Sequence, residues 1–464
     1  MKNTRLLILA STLFLDLLGF GLIIPLIPVY ILHYGGKPWI GGALLASFST
    51  MQFIFSPIWG RLSDKIGRRP LILMSLIGSA ISFLAFGFAP NLAILFIARV
   101  AAGILSAASL PVAQAYIADV TPPEKRASGM AVLGAAFGLG FVCGPALGGV
   151  LGSISVFGLL AIQTPALFAA CLCAVNFVWA FFALPESHTD RSETAAAKSI
   201  NVLDVFPAIK RALSNPQISA QLWVFTFATF AFTAVEASFS WLVLLRFHDT
   251  LLQNAQTAWA AGHAGQMLPA AMTPQMVEKA QTRATSVIFV IVGVTSLFVQ
   301  GAVIGGLARR VGENWLVKVG SATLAVTLLG IALANSLPLL WLTAAGLAIG
   351  SGVMNSSLSA LITQAAGPSE RGSISGTQQG LGSLARMIAP PINNSVVSLN
   401  TPVGIGAIPF LSSFVLMLIA FGLSLRLKPL ARVSPENRGE FASSERGGHA
   451  ETAPESSTEE LPLH

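Results

Sequence analysis

From Arg5 to Leu427, stretches of about 20 residues with hardly a charge recur, each ended by a short connector. A helix of that length crosses a hydrocarbon layer of ~30 Å, where every backbone N–H and C=O must be satisfied within the helix itself. A chain that repeats the pattern has no route to an ordinary soluble core. Composition supports this: 10% of the 464 residues are charged, against roughly 25% in soluble domains. The expected fold class is an all-α integral membrane protein, with twelve transmembrane helices in two pseudo-symmetric six-helix bundles. The spans are predicted at 5–31, 40–61, 70–89, 92–117, 128–152, 163–184, 218–243, 285–308, 316–335, 338–362, 374–398 and 405–427.

Lys2 and Arg5 ahead of the first apolar run imitate a secretory leader. The run is too long and ends in "PLIPVYILHYGG" without a clear small-residue cleavage site, so it reads as a retained helix. Cys143, Cys171 and Cys173 lie in apolar stretches with no metal-ligand spacing and read as small packing residues. No metal is expected, no "GxxxxGK[ST]" phosphate loop occurs, and no nucleophile–base set is readable. An enzyme is therefore not expected. The net charge of +7 resides in connectors, so it points to lipid headgroups rather than nucleic acid.

Lysine and arginine crowd the connectors on one side; the opposite side holds only Lys37, Arg246, Lys279 and Arg283. By the positive-inside rule both termini are expected in the cytoplasm. The expected organisation is an N-terminal six-helix bundle at 1–184, a cytoplasmic linker at 185–217, a C-terminal bundle at 218–428 and a disordered tail at 429–464. An external loop at 249–284 is expected to carry at most a short surface helix.

A shift of 245 positions carries Gly60 onto Gly305, Leu62 onto Leu307, Gly67 onto Gly312, Arg126 onto Arg371 and Pro145 onto Pro390. Such a register marks a duplicated bundle with a cavity between its halves. The stretch "GRLSDKIGRRP" then joins the second and third helices. Gly60 and Gly67 allow a tight turn or close approach, Pro70 suits a first helical turn, and Asp64 can serve a helix N-terminus. Arg68, Arg69 and Arg126 anchor the connectors. In "GPALGG", Pro145 bends its helix and Gly144, Gly148 and Gly149 permit close helix approach. Together these residues are the candidate gating set.

These motifs resemble the major facilitator superfamily, over roughly residues 5–427. "GRLSDKIGRRP" matches its loop signature, "FIARVAAGILSAAS" its fourth-helix signature around Arg99, and "GLGFVCGPALGG" the fifth-helix signature of its proton-driven antiporters. "LDLLGFGLIIPLIP", "PPEKRA" and "LPES" narrow the resemblance to bacterial tetracycline–proton antiporters and their near relatives. The resemblance implies a cytoplasmic (inner) bacterial membrane, no bound cofactor, and a proton gradient as the energy source. Two departures stand out. Arg309 falls where the repeat places Asp64, an asymmetry tetracycline exporters also tend to show, and Arg386 falls mid-helix where a small residue is expected.

Asp16, Arg99, Glu236 and Arg386 lie within predicted spans. An unpaired charge at mid-bilayer costs about 2.5–3.5 kcal/mol even on the mildest scale, so four of them argue for a polar cavity. Asp16 can hold and release a proton, and Glu236 is a second candidate for that task. Arg99 cannot usefully lose its proton; the resemblance implies that it couples proton release to substrate binding. Gln52, Gln114, Gln300, Asn355, Gln378 and Asn393, with Arg386, are candidate hydrogen-bonding groups for substrate. The expected function is proton-coupled antiport of a small, amphipathic, drug-like compound, with tetracycline the nearest resemblance. An exporter of a sugar or other metabolite, and a non-transporting receptor or scaffold, are the alternatives.

Overall fold

The computed structural model describes residues 2–152, 162–187, 205–263, 267, 269–365 and 371–427. The expected tail at 429–464, most of the linker, and the side chain of Arg126 lie outside the described residues. Helices account for nearly all of the rest, and no strand occurs among the described residues.

The first span is α1 (Lys2–Ile23) continued by α2 (Ile27–His33), with Pro25 and Pro28 forcing a tighter turn between them. Then come α3 (Pro38–Ile66) and α4 (Arg68–Gly87). The fourth span is α5 (Leu92–Ser106) continued by α6 (Ser109–Val120). Its break falls at Ala107, whose carbonyl Pro111 cannot bond. The first half closes with α7 (Pro123–Leu151) and α8 (Thr164–Ala183), followed by a linker helix α9 (Val205–Ser214). The second half runs α10 (Pro216–Arg246), α11 (His248–Gly262), α12 (Thr273–Phe298), α13 (Ile304–Val311), α14 (Glu313–Leu333), α15 (Leu337–Ala365), α16 (Arg371–Val396) and α17 (Ile408–Leu425).

Eleven helices among the described residues are long and apolar enough to cross a membrane. The twelfth span is α16, which carries Gln378, Gln379, Arg386, Asn393 and Asn394 and so fails on composition. Its neighbours explain the tolerance: it packs against α3 and α10, and Asn393 and Asn394 are each 1% exposed. The segment expected as a loop at 249–284 is largely helical. The helix α11 is 15 residues long, and α12 starts at Thr273. Polar Gln281, Thr282, Thr285 and Ser286 hide that start from a hydropathy reading, yet all four are buried.

The duplication survives at backbone level. Gly67 ends α3 and opens α4 with φ of +102°, and Gly312 ends α13 and opens α14 with φ of +83°. Only glycine enters that region without strain. Within the first half, Gly140, Gly144 and Gly148 form a stripe along α7 that lies on α1. A methyl built on Gly140, Gly144 or Gly148 would fall 2.3, 2.7 or 2.1 Å from the carbonyl oxygens of Phe14, Leu18 and Leu22. Both series repeat every four residues, so two backbones meet without intervening side chains.

The halves meet along α3–α16 and α7–α12. The tightest approaches lie at the end of the bundle opposite the α3–α4 turn. A methyl on Gly42 would fall 2.3 Å from the Pro390 oxygen, and one on Gly149 would fall 1.5 Å from Ser286 Oγ. That far end is sealed by glycine.

Candidate functional site

Between this seal and the α3–α4 turn lies a cavity of about 770 Å³, open solvent included. Four spans line it. The first supplies Asp16 and Phe20, the second Phe48, Ser49, Gln52 and Ser56, the fourth Ser106 and Ser109, and α16 supplies Gln379, Ser383 and Arg386. Its wall thus joins both halves. Asp16 Oδ1 accepts a hydrogen bond from Ser79 Oγ at 3.2 Å, whereas buried Oδ2 has no partner in good hydrogen-bond geometry, although the Ser109 hydroxyl lies beside Asp16 on the same wall. An orphaned carboxylate oxygen is costly in a static core but useful where a proton or a ligand donor must come and go.

Arg99 is 1% exposed and does not itself line the cavity. Its guanidinium carbon lies 5.9, 5.8 and 5.0 Å from the ring centres of Phe20, Phe48 and Phe86. Nε and Nη2 have no hydrogen-bond partner. Among the described residues no carboxylate stands within 4 Å of it, so the structure does not bring Arg99 and Asp16 into an ion pair.

The remaining expected site residues divide. Gln52 faces the cavity, with Nε2 3.5 Å from Ser106 Oγ. Arg386 faces it too, and it interacts electrostatically with Glu236 on the neighbouring α10. Glu236 is itself buried outside the cavity wall, with Oε1 unpartnered. Gln378 points elsewhere, donating to Ser359 Oγ at 3.3 Å, and its neighbour Gln379 takes the cavity position. Adjacent helical residues point about 100° apart, so one position decides the matter. Gln114, Asn355 and Asn393 do not line this cavity. Asn393 is buried with Nδ2 unpartnered, close to the far-end seal. No group of three His, Cys, Asp or Glu among the described residues is placed to hold a metal ion.

A second constellation sits at the α3–α4 turn. Arg68 Nη1 pairs with Asp64 at 2.6 Å, Arg68 Nε with Asp119 at 3.1 Å, and Nη1 also donates to Ser63 Oγ. Asp64 was expected at a helix N-terminus; it is instead paired with Arg68 one turn on. The N-terminus of α4 is held by Glu186, whose two carboxylate oxygens accept from the backbone N–H groups of Arg68 and Arg69 at 2.9 and 3.2 Å. A carboxylate there satisfies orphan donors and complements the helix dipole. Arg69 Nη2 reaches Phe181 O at 2.6 Å, and Ser187 Oγ donates to Asp119 at 3.1 Å. The end of α8 and the start of the linker are therefore tied to this turn. Asp119 and Glu186 were not singled out as site residues from sequence; the stretch "LPES" held the signal for Glu186. Gly60, in contrast, lies inside α3 with only Pro111 Cβ near, at 3.8 Å, and forms no tight turn.

The family model described as Major Facilitator Superfamily matches residues 9–390 and, in a second match, 257–457. The class E tetracycline resistance protein of Escherichia coli is 33% identical over 282 residues, spanning 57% of this chain and 68% of that protein. The class H protein of Pasteurella multocida is 28% identical over 393 residues, spanning 84% of this chain and 88% of its own. Among solved structures, the human organic anion transporter MFSD10 (TETRAN) superposes with a TM-score of 0.64 at 25% identity. That match covers 91% of this chain and 99% of the other.

Proposed function

The chain belongs to the Major Facilitator Superfamily of membrane transporters, and from that premise we propose that it is a proton-coupled antiporter exporting an amphipathic, drug-like compound. The observation that carries the reading is Asp16: a carboxylate with one orphaned oxygen, on the wall of a cavity shared by both halves. Tetracycline is the first cargo to try, because the class E and class H proteins named for resistance to it match over 68% and 88% of their length. With the termini and the α3–α4 turn in the cytoplasm of a bacterial cell, the far-end seal faces outward. Substrate then enters from the cytoplasm when Asp16 is deprotonated. A proton arriving from outside displaces it, and the protonated carrier returns. Gln52, Gln379 and Ser383 supply hydrogen bonds, while Phe20 and Phe48 supply apolar faces. Protons and lipid are the other partners in this reading, and no bound cofactor takes part.

Competition between cargo and proton is reciprocal by linkage. Adding tetracycline to the purified protein in weakly buffered solution should therefore release protons, and Asp16→Asn should abolish most of that release. Binding without release in the wild type would reject the coupling. A second reading, a carrier of organic anions, draws on Arg386 in the cavity wall and on the name of the human structural relative.

A further inference from the structure

Arg99 is the charge that the antiport cycle above leaves without a partner. It projects from α5 into a cage whose walls come from three other helices: Phe20 on α1, Phe48 on α3 and Phe86 on α4. Two of those rings also reach the cavity. Phe20 and Phe48 stack on each other at 5.2 Å with 29° between planes, and both line the cavity; Phe86 and Arg99 do not. The stacked pair is the wall separating the guanidinium from the cavity.

We propose that Phe20 and Phe48 form a movable aromatic shutter, and that the Arg99 guanidinium behind it is a second anion subsite, taking the acidic group of an amphipathic cargo. The inference deepens the transport reading and rests on it. Ring faces attract the cation but satisfy none of its N–H directions, and Nε and Nη2 have no acceptor. A planar donor fork in a dry site matches a carboxylate or sulfonate, which would use both donors at once. Phe20 lies one helical turn from Asp16, and Phe48 one turn from Gln52, so a cargo held by those polar groups presses directly on the shutter. A cargo with an aromatic body and an acidic end would replace one ring face by its own. The cavity would thereby offer two cationic groups of different access: Arg386 in its wall and Arg99 behind a door.

Two measurements on the purified full chain in lipid nanodiscs test this. The first is N-ethylmaleimide labelling at position 99 in Arg99→Cys, read by peptide mass spectrometry. It should be slow, should rise several-fold when Phe48→Ala is added, and should stay slow when Phe86→Ala is added instead. Equal labelling in all three overturns the shutter. The second compares binding of 2-naphthoate and 2-naphthamide by calorimetry. Phe48→Ala should strengthen naphthoate binding by about tenfold relative to the amide, the worth of a charge-assisted hydrogen bond, and adding Arg99→Gln should remove the gain. A gain that survives Arg99→Gln, or no gain at all, overturns the subsite. A gain that appears only with Asp16→Asn makes Asp16 the natural occupant and overturns the cargo assignment. Neither measurement requires transport or a proton gradient, so failure of the antiport reading would register separately.

Discussion

Gly67 holds φ at +102° where α3 gives way to α4, and a Cβ there would stand 2.5 Å from Glu186 Oε2. Gly67→Ala should therefore cost on the order of 1–3 kcal/mol and lower the melting temperature in detergent. Gly60→Ala, inside α3 with room for a methyl, should be neutral or slightly stabilising. Thermal melts of the two single variants side by side check the pair, and equal shifts would show that the turn conformation carries no special weight. At this scale the sequence was partly legible. Charges inside apolar spans stand out because lipid forbids them, and Asp16, Arg99, Glu236 and Arg386 are legible on that ground. Their partners were not legible. Asp119 and Glu186 reach Arg68 across 51 and 118 positions, and no local pattern records such a pairing. Gln378 and Gln379 are chemically identical, so only the helix phase separates a cavity residue from one packed on Ser359.

Helix α7 shows how an element can carry information in its glycines alone. Its stripe lies backbone to backbone on α1, and the Gly148 Cβ position is 2.1 Å from the Leu22 carbonyl oxygen, an atom that cannot swing aside. Gly148→Ala should separate the two helices and cost about 1–3 kcal/mol or more, seen as reduced folded yield and a lower melting temperature. Gly134, on the same helix with nothing within 4 Å, provides the control: Gly134→Ala should leave both unchanged or slightly improved. Elements whose apolar runs are continuous were placed from sequence to within several residues. The start of α12 is the exception, because its polar residues point into protein rather than lipid. The first turns of α12 bury amides and hydroxyls, so composition understates them; α16 also buries amides, yet its predicted span 374–398 falls within three residues of Arg371–Val396 at each end.

For the whole molecule, the halves touch most closely at the far end through Gly42 on Pro390 and Gly149 on Ser286. Rocking between two packed arrangements needs such a seal to be tight in one state and absent in the other. Gly42→Ala places a methyl 2.3 Å from the Pro390 oxygen and should wedge this end apart. Spin labels on α2 and α11 should report a longer distance and a larger far-end-open population than in wild type. An unchanged distribution would mean that the seal is not a moving contact. The duplication that underlies this motion was visible in the sequence as a fixed offset, since both halves keep glycine where the backbone must turn left-handed, at Gly67 and Gly312. What no sequence pattern could supply is the state of the cycle, because one set of residues packs in both.

The central claim is that Asp16 carries the proton that drives export. The most direct measurement is uphill transport in proteoliposomes with an imposed pH gradient, using tetracycline and, separately, an aromatic carboxylate as cargo. Wild type and Asp16→Asn should be compared at matched protein levels. The account predicts that the wild type concentrates at least one cargo against its gradient while dissipating the pH difference. Asp16→Asn should bind that cargo and let it run downhill but fail to concentrate it. Uphill transport by Asp16→Asn at the wild-type rate, with the same dependence on the pH gradient, would contradict the account and leave Asp16 a structural polar residue hydrogen-bonded to Ser79.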